Sequence, residues 1–132
     1  MKACLIDDDQ IFLFGMKRML EVTDLSQQTL QFSNGYEALN FLRDAKSDEN
    51  SLPDVIFLDI NMPVMDGWQF IDEYARLKDS FAKNITVYMV SSSIDYADAE
   101  RARGIDAIAQ FMVKPLSLQQ IKDLFPQPTS SN

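Results

Sequence analysis

Acids, a hydroxyl and an amine stand immediately after four separate apolar runs: Asp7-Asp8-Asp9, Asp59, Ser91 and Lys114-Pro115. Brought together, they would make a carboxylate cluster flanked by one hydroxyl and one ammonium. Carboxylates within a few ångströms repel one another, and burying them unpaired is costly. A hard divalent cation relieves that repulsion, and an all-oxygen set with few protein ligands suits Mg²⁺ better than zinc. A lone carboxylate is a weak nucleophile, but phosphoryl transfer needs little beyond positioning and charge neutralisation. Metal, lysine and hydroxyl can together hold the three equatorial oxygens of a phosphoryl group.

Each group alone also has an ordinary structural reading. An Asp run after a strand can sit at a helix N-terminus and favour the dipole. Asp59 can satisfy a turn, Ser91 to Ser93 can cap a helix beginning near Asp95, and Lys114 can snorkel along the surface. The conjunction argues for chemistry, because structure does not require acid, acid, hydroxyl and amine at four strand ends. The separations of 52, 32 and 23 residues between Asp7, Asp59, Ser91 and Lys114 close only if a parallel sheet gathers them.

The apolar pattern supplies such a sheet. Ala3 to Ile6, Val55 to Leu58, Ile85 to Val90 and Ala109 to Val113 read as strands, with Thr29 to Phe32 a weaker one. Between them lie helical faces: Phe12, Met16, Met19 and Leu20; Ala38, Leu39, Leu42 and Ala45; Phe70, Ile71, Tyr74 and Leu77; a short polar segment at 95–103; and Leu118, Ile121 and Leu124. Asn34 to Glu37 resembles a capping box, Asp66-Gly67 reads as a turn, and Ser117-x-x-Gln120 can cap the last helix. Residues 46–53 form a polar loop, and after Pro126 and Pro128 the chain reads as a frayed tail. Five strands alternating with five helices imply an α/β fold, a doubly wound parallel sheet whose ligands gather at the strands' carboxyl ends.

Composition narrows the function. The 132 residues, 46 % of them hydrophobic, suit one domain, expected at 1–125 with a flexible tail at 126–132. Twelve basic residues against 20 acidic ones give a net charge of −8, which opposes nucleic-acid binding. No apolar run is long enough to span a bilayer and no leader pattern opens the chain, so a cytoplasmic protein without a membrane partner is expected. The single Cys4 reads as a small buried hydrophobe. Histidine is absent, which removes His-based acid–base chemistry and means any phosphohistidine donor is another molecule. Four glycines, at 15, 35, 67 and 104, write neither a dinucleotide fingerprint nor a P-loop.

Ile6-Asp7-Asp8, the run Leu58-Asp59-Ile60-Asn61-Met62-Pro63-Val64-Met65-Asp66-Gly67, Val90-Ser91-Ser92 and Val113-Lys114-Pro115 together closely resemble receiver domains of two-component response regulators. The resemblance spans about residues 2–125 and implies a flavodoxin-like fold with strand order 2-1-3-4-5. It implies Asp59 as phosphoacceptor and Mg²⁺ bound by Asp8, Asp59 and the backbone carbonyl of Asn61, with Asp7 acting through water. Ser91 matches the switch hydroxyl, Phe111 the switch aromatic, and Lys114 the lysine that pairs with the phosphoryl group, before a bond to Pro115 that is usually cis. Asn61 and Ser93 would flank the path of the water that ends the phosphorylated state. Ser91 stands where Thr is commoner and Phe111 where Tyr is frequent; Asp9 is an additional acid without a role, and loop 46–53 is longer than usual.

The resemblance implies a signalling switch rather than a turnover enzyme. Its donor would be a histidine kinase or histidine phosphotransfer protein, and its downstream protein would bind the face at 95–125. Only seven residues follow Phe125, so an attached effector is not expected. The rival from a different class is an Mg²⁺-dependent phosphohydrolase of the haloacid-dehalogenase-like kind, whose Asp-x-Asp spacing Asp7 and Asp9 satisfy. Against it stand the Asp59 motif and the lack of a substrate-selecting cap insertion. A receiver-like domain that only binds is disfavoured, since no site group is missing.

Overall fold

The computed structural model describes residues 1–26 and 28–125. Strands and helices alternate as the apolar pattern predicts: β1 (Lys2–Ile6), α1 (Gln10–Val22), β2 (Gln28–Phe32), α2 (Gly35–Ala45), β3 (Val55–Asp59), α3 (Gly67–Leu77), β4 (Thr86–Ser91), α4 (Tyr96–Arg103), β5 (Ile108–Val113) and α5 (Leu118–Leu124). A 3-10 turn at Lys78–Ser80 follows α3. The strands form one parallel sheet in the order β2-β1-β3-β4-β5. The order reverses between β1 and β3, so their carboxyl ends leave the sheet side by side; Ile6 pairs with Leu58, one residue before Asp7 and Asp59. The expected tail at 126–132 lies outside the described residues.

Alternation along the strands divides the core between two faces. Cys4, Ile6, Ile56, Leu58, Val87 and Met89 pack with α2, α3 and Ala102 of α4. Ala3, Leu5, Val55, Phe57, Tyr88 and Val90 pack with α1 and α5. β3 is buried throughout, which is why its apolar run is the clearest in the sequence. Edge strand β2 is exposed or half-buried along its length, and its mixed composition reads correspondingly weakly.

Side-chain caps fix where the helices begin. Asn34 accepts from Glu37 N–H at 2.9 Å, as its spacing predicts. Ser117 and Gln120 form a reciprocal capping box at α5. Asp66-Gly67 is not a free turn: Asp66 caps α3 in a second such box with Gln69, and Gly67 is the first helical residue. Loop 46–53 is polar up to Ser51 and is anchored at its end by the fully buried Leu52 and the buried Pro53. Among the described residues no helix is long and apolar enough to cross a membrane.

Candidate functional site

The strand ends bring Asp7, Asp59, Ser91 and Lys114 to one edge of the sheet. Asp59 ends β3 and is 5 % exposed; Asp7 follows β1 and is 1 % exposed. Their nearest carboxylate oxygens and one from the exposed Asp8 all lie within 4.8 Å of one another. Lys114 follows β5, with Nζ 2.7 Å from Asp7 Oδ2 and 3.7 Å from Asp59 Oδ1. Its N–H donates to the carbonyl of Ser91 at 2.8 Å, tying the ends of β4 and β5 together, and the Lys114–Pro115 bond is cis.

Two features mark this edge as a site rather than a packed strand end. Burial pushes the Asp59 carboxyl up to about 7, the negative charge of Asp7 adds to the rise, and Lys114 works against it. Asp7 Oδ2 is buried without a directed hydrogen bond: Lys114 is near enough to pair its charge but does not approach along a hydrogen-bonding direction. An under-satisfied buried oxygen among three carboxylates fits a hard divalent cation, whose ligand shell is made of oxygens.

Backbone geometry holds β3 against the loop that follows. Gly67 N–H donates to Ile60 O at 2.7 Å and closes residues 61–66 into a loop. A Cβ on Gly67 would lie 2.4 Å from Asp59 O, so only glycine allows α3 to start against the candidate phosphoacceptor's backbone. Asn61 is exposed at the start of this loop, and Val64 within it takes a left-handed φ of 70°.

Ser91 ends β4, buried, with its hydroxyl already engaged. Its Oγ–H donates to Ser93 O at 2.9 Å, and Ser93 N–H donates back to Ser91 Oγ at 3.2 Å. Phe111 is half-buried on β5 and lines a cavity of about 340 Å³ with Ala99, Ala102, Arg103 and Ile108.

Asp9 does not join the acids. Its carboxylate caps α1, accepting from Ile11 N–H at 3.1 Å and Phe12 N–H at 3.2 Å. The Asp7-x-Asp9 acid pair on which the phosphohydrolase reading rested is therefore not formed, and that reading is unsupported. The capping role was open to sequence reasoning, since an Asp just before an apolar helical face is an N-cap signal. Two other contacts were not legible: Lys114 Nζ sits 4.4 Å from the centroid of the Phe12 ring, and the Arg101 guanidinium sits 4.2 Å from that of Trp68.

The response regulator receiver domain model matches residues 3–125. The chain belongs to the receiver family of two-component signalling. It is 30 % identical over 121 residues to the transcriptional regulatory protein PrrA of Mycobacterium tuberculosis, covering 91 % of this chain and 46 % of that protein. It is 35 % identical over 89 residues to the sensor histidine kinase CheAY of Helicobacter pylori, covering 67 % of this chain and 10 % of the kinase. The chain thus spans less than half the length of either relative. Among solved structures, a two-component response regulator from Cytophaga hutchinsonii superposes with a TM-score of 0.81 at 28 % identity, covering 93 % of this chain and 92 % of that one. A response regulator receiver protein from Dyadobacter fermentans gives 0.79 at 27 %, covering 93 % of each.

Proposed function

We propose that this receiver takes a phosphoryl group from a phosphohistidine of a histidine kinase or phosphotransfer protein onto Asp59 and thereby changes which protein it binds. The observation that carries this is the half-buried ammonium of Lys114 set beside the carboxylates of Asp7 and Asp59. Asp8, Asp59 and the backbone carbonyl of Asn61 would hold Mg²⁺ directly, with Asp7 reaching it through water. Bound there, the ion supplies neutralising charge for the phosphoryl oxygens.

An ionised Asp59 oxygen attacks phosphorus, the P–N bond to the donor imidazole breaks, and its electron pair stays on the nitrogen. Lys114 offsets the charge that arrives. Ser91 then donates its hydroxyl to a phosphoryl oxygen, which takes from Ser93 O the hydroxyl it accepts and pulls on the Ser93 N–H that donates to the same oxygen. The β4–α4 connection must rearrange, and Phe111 turns into the space vacated beside α4. Differential contact of this kind is what lets a small group shift a conformational equilibrium.

The reading makes the chain a stoichiometric switch, not a turnover enzyme: one phosphoryl group is held per Asp59. A net charge of −8 favours a protein partner over nucleic acid, received on the face spanning 95–125. A cytoplasmic setting suits a switch fed by a kinase. The test is phosphohistidine-donor labelling of wild type and Asp59→Asn. Acid-labile label is expected on the wild type only, with Mg²⁺ present, and loss of label is expected in excess EDTA. Undiminished labelling of the mutant, or full-rate transfer in EDTA, refutes the assignment.

A further inference from the structure

We propose that Phe12 is a positioning residue for phosphoryl transfer, its ring face holding the Lys114 ammonium in place for the group that arrives on Asp59. The inference rests on the phosphoacceptor reading of Asp59. Lys114 Nζ lies 4.4 Å from the Phe12 centroid, well inside the reach of a cation–π contact. The Lys114 side chain is only 11 % exposed, so little water competes with the ring for the ammonium.

The geometry explains why a ring is useful at this place. A lysine stem is flexible, and two carboxylates compete for its charge. Asp7 is the nearer at 2.7 Å and Asp59 the farther at 3.7 Å. Held by those acids alone, the ammonium would settle into a directed hydrogen bond to Asp7. It does not: Asp7 Oδ2 has no such bond despite the short distance. An ammonium held by charge and by an aromatic face can turn its N–H groups toward incoming phosphoryl oxygens without first breaking a directed bond. A phosphoryl group also draws the ammonium away from Asp7, and the ring still attracts the cation as it shifts.

Phe12 is itself fixed for this task. Asp9 Oδ1 accepts from Phe12 N–H at 3.2 Å, so the cap of α1 sets the first helical turn from which the ring projects. Phe12 packs on the core face shared with α1 and α5, and with Met16, Met19, Pro115 and Leu116 it lines a shallow, largely apolar groove beside the lysine. The third acid, otherwise outside the site, thus acts on it through Phe12.

The experiment compares wild type, Phe12→Leu and Phe12→Tyr in saturating Mg²⁺ with acetyl phosphate as donor. Asp59 attacks phosphorus and acetate departs with the electron pair of the broken P–O bond, so no protein partner touches the groove. The fraction phosphorylated is followed by intact-mass spectrometry across donor concentrations, giving a maximal rate constant and a half-saturating concentration. Removing the ring face should lower the maximal rate constant of Phe12→Leu by roughly three- to tenfold with half-saturation unchanged, while Phe12→Tyr stays within about twofold of wild type. The Lys114 ε-methylene protons should carry a ring-current shift by NMR in wild type and Phe12→Tyr, and lose it in Phe12→Leu. Equal maximal rates for wild type and Phe12→Leu overturn the proposal, as does a Phe12→Tyr as slow as Phe12→Leu or an effect confined to half-saturation. If Phe12→Leu does not fold, absence of the ring-current shift in wild type overturns it equally. A wild type that takes no label refutes the Asp59 reading itself, an outcome distinct from all of these.

Discussion

Helix α3 buries Gly67, Trp68, Phe70, Ile71 and Tyr74, whereas α4, on the same face of the sheet, buries only Ala102. The first starts against the backbone of Asp59; the second follows the Ser91–Ser93 connection and lies over the cavity beside Phe111. One side of the site is therefore built to hold the carboxylates still, and the other is anchored weakly enough to answer them. Local stability tracks buried apolar anchorage, so a phosphoryl group on Asp59, as proposed, would meet least resistance toward α4. The contrast also separates roles: chemistry needs fixed atoms on β1 and β3, while signalling needs an element that can afford two arrangements.

The contrast breaks most severely at Gly67. Gly67→Ala places a Cβ 2.4 Å from Asp59 O and 2.9 Å from Ile60 Cα, both backbone atoms that no side-chain rotation can clear. Overpacking against fixed backbone should cost about 3 kcal/mol or more and displace Asp59. Urea unfolding should show the lower midpoint, and the folded fraction should take up phosphoryl label far more slowly. Wild-type stability in this variant would mean that α3 is not held against β3 as described.

A smaller effect of opposite sign is expected for Asp59→Asn. The folded Asp59 carboxyl titrates near 7 against an ordinary 3.8 because burial and Asp7 disfavour its charge. The folded state thus binds this proton more tightly than the unfolded chain. The resulting stability is fully present below about pH 4, falls as pH rises through 7, and is level above that. Asparagine carries no such charge, so in chelator at pH 8 the mutant should be more stable by about 2 kcal/mol once solvent screening is allowed for. The gap should close as pH falls toward 4. Asp48, lowered by its hydrogen bonds, and Asp54, lowered despite its burial by hydrogen bonds from Lys2 and Lys83, titrate in both proteins and cancel in the difference. Parallel pH profiles of wild type and mutant would remove the crowding of acids from the account.

Much of this was legible because it repeats along the chain. β3 is apolar at every position but its terminal Asp59, and the buried positions of α3 recur at helical spacing, so both elements could be read directly. The four strand-end groups were legible for a related reason, since a parallel sheet brings the ends of its apolar runs to one edge. β2 was read weakly because an edge strand need not be apolar. What could not be read were contacts between residues far apart in sequence whose types suit many neighbours. Nothing in the surroundings of Phe12 or Trp68 singles out Lys114 or Arg101 as the cation each ring faces. Gly67 could be read as a turn glycine, but the need for it comes from the backbone of Asp59 and Ile60, folded back against it.

The finest test of the contrast is Arg101→Met. Arg101 reaches from α4 to the ring of Trp68 on α3, with the guanidinium 4.2 Å from the centroid, and so ties the weakly anchored helix to the firmly anchored one. Methionine keeps an unbranched apolar stem but removes the cation, at an expected cost of about 0.5–1 kcal/mol given that Arg101 is exposed. That loss should fall on the opening of α4 rather than on global unfolding, so amides at 96–103 should exchange roughly threefold faster while those of β3 and α3 hold their protection. With beryllofluoride and Mg²⁺ as a phosphoryl mimic, protection in the wild type should change across 91–118. In Arg101→Met that change should need less mimic, because one restraint on the unswitched position of α4 has been removed in advance. Wild-type changes confined to the loops at 7–10 and 59–67 would mean that α4 is not the responding element. A partner would then have to read the phosphorylated edge itself.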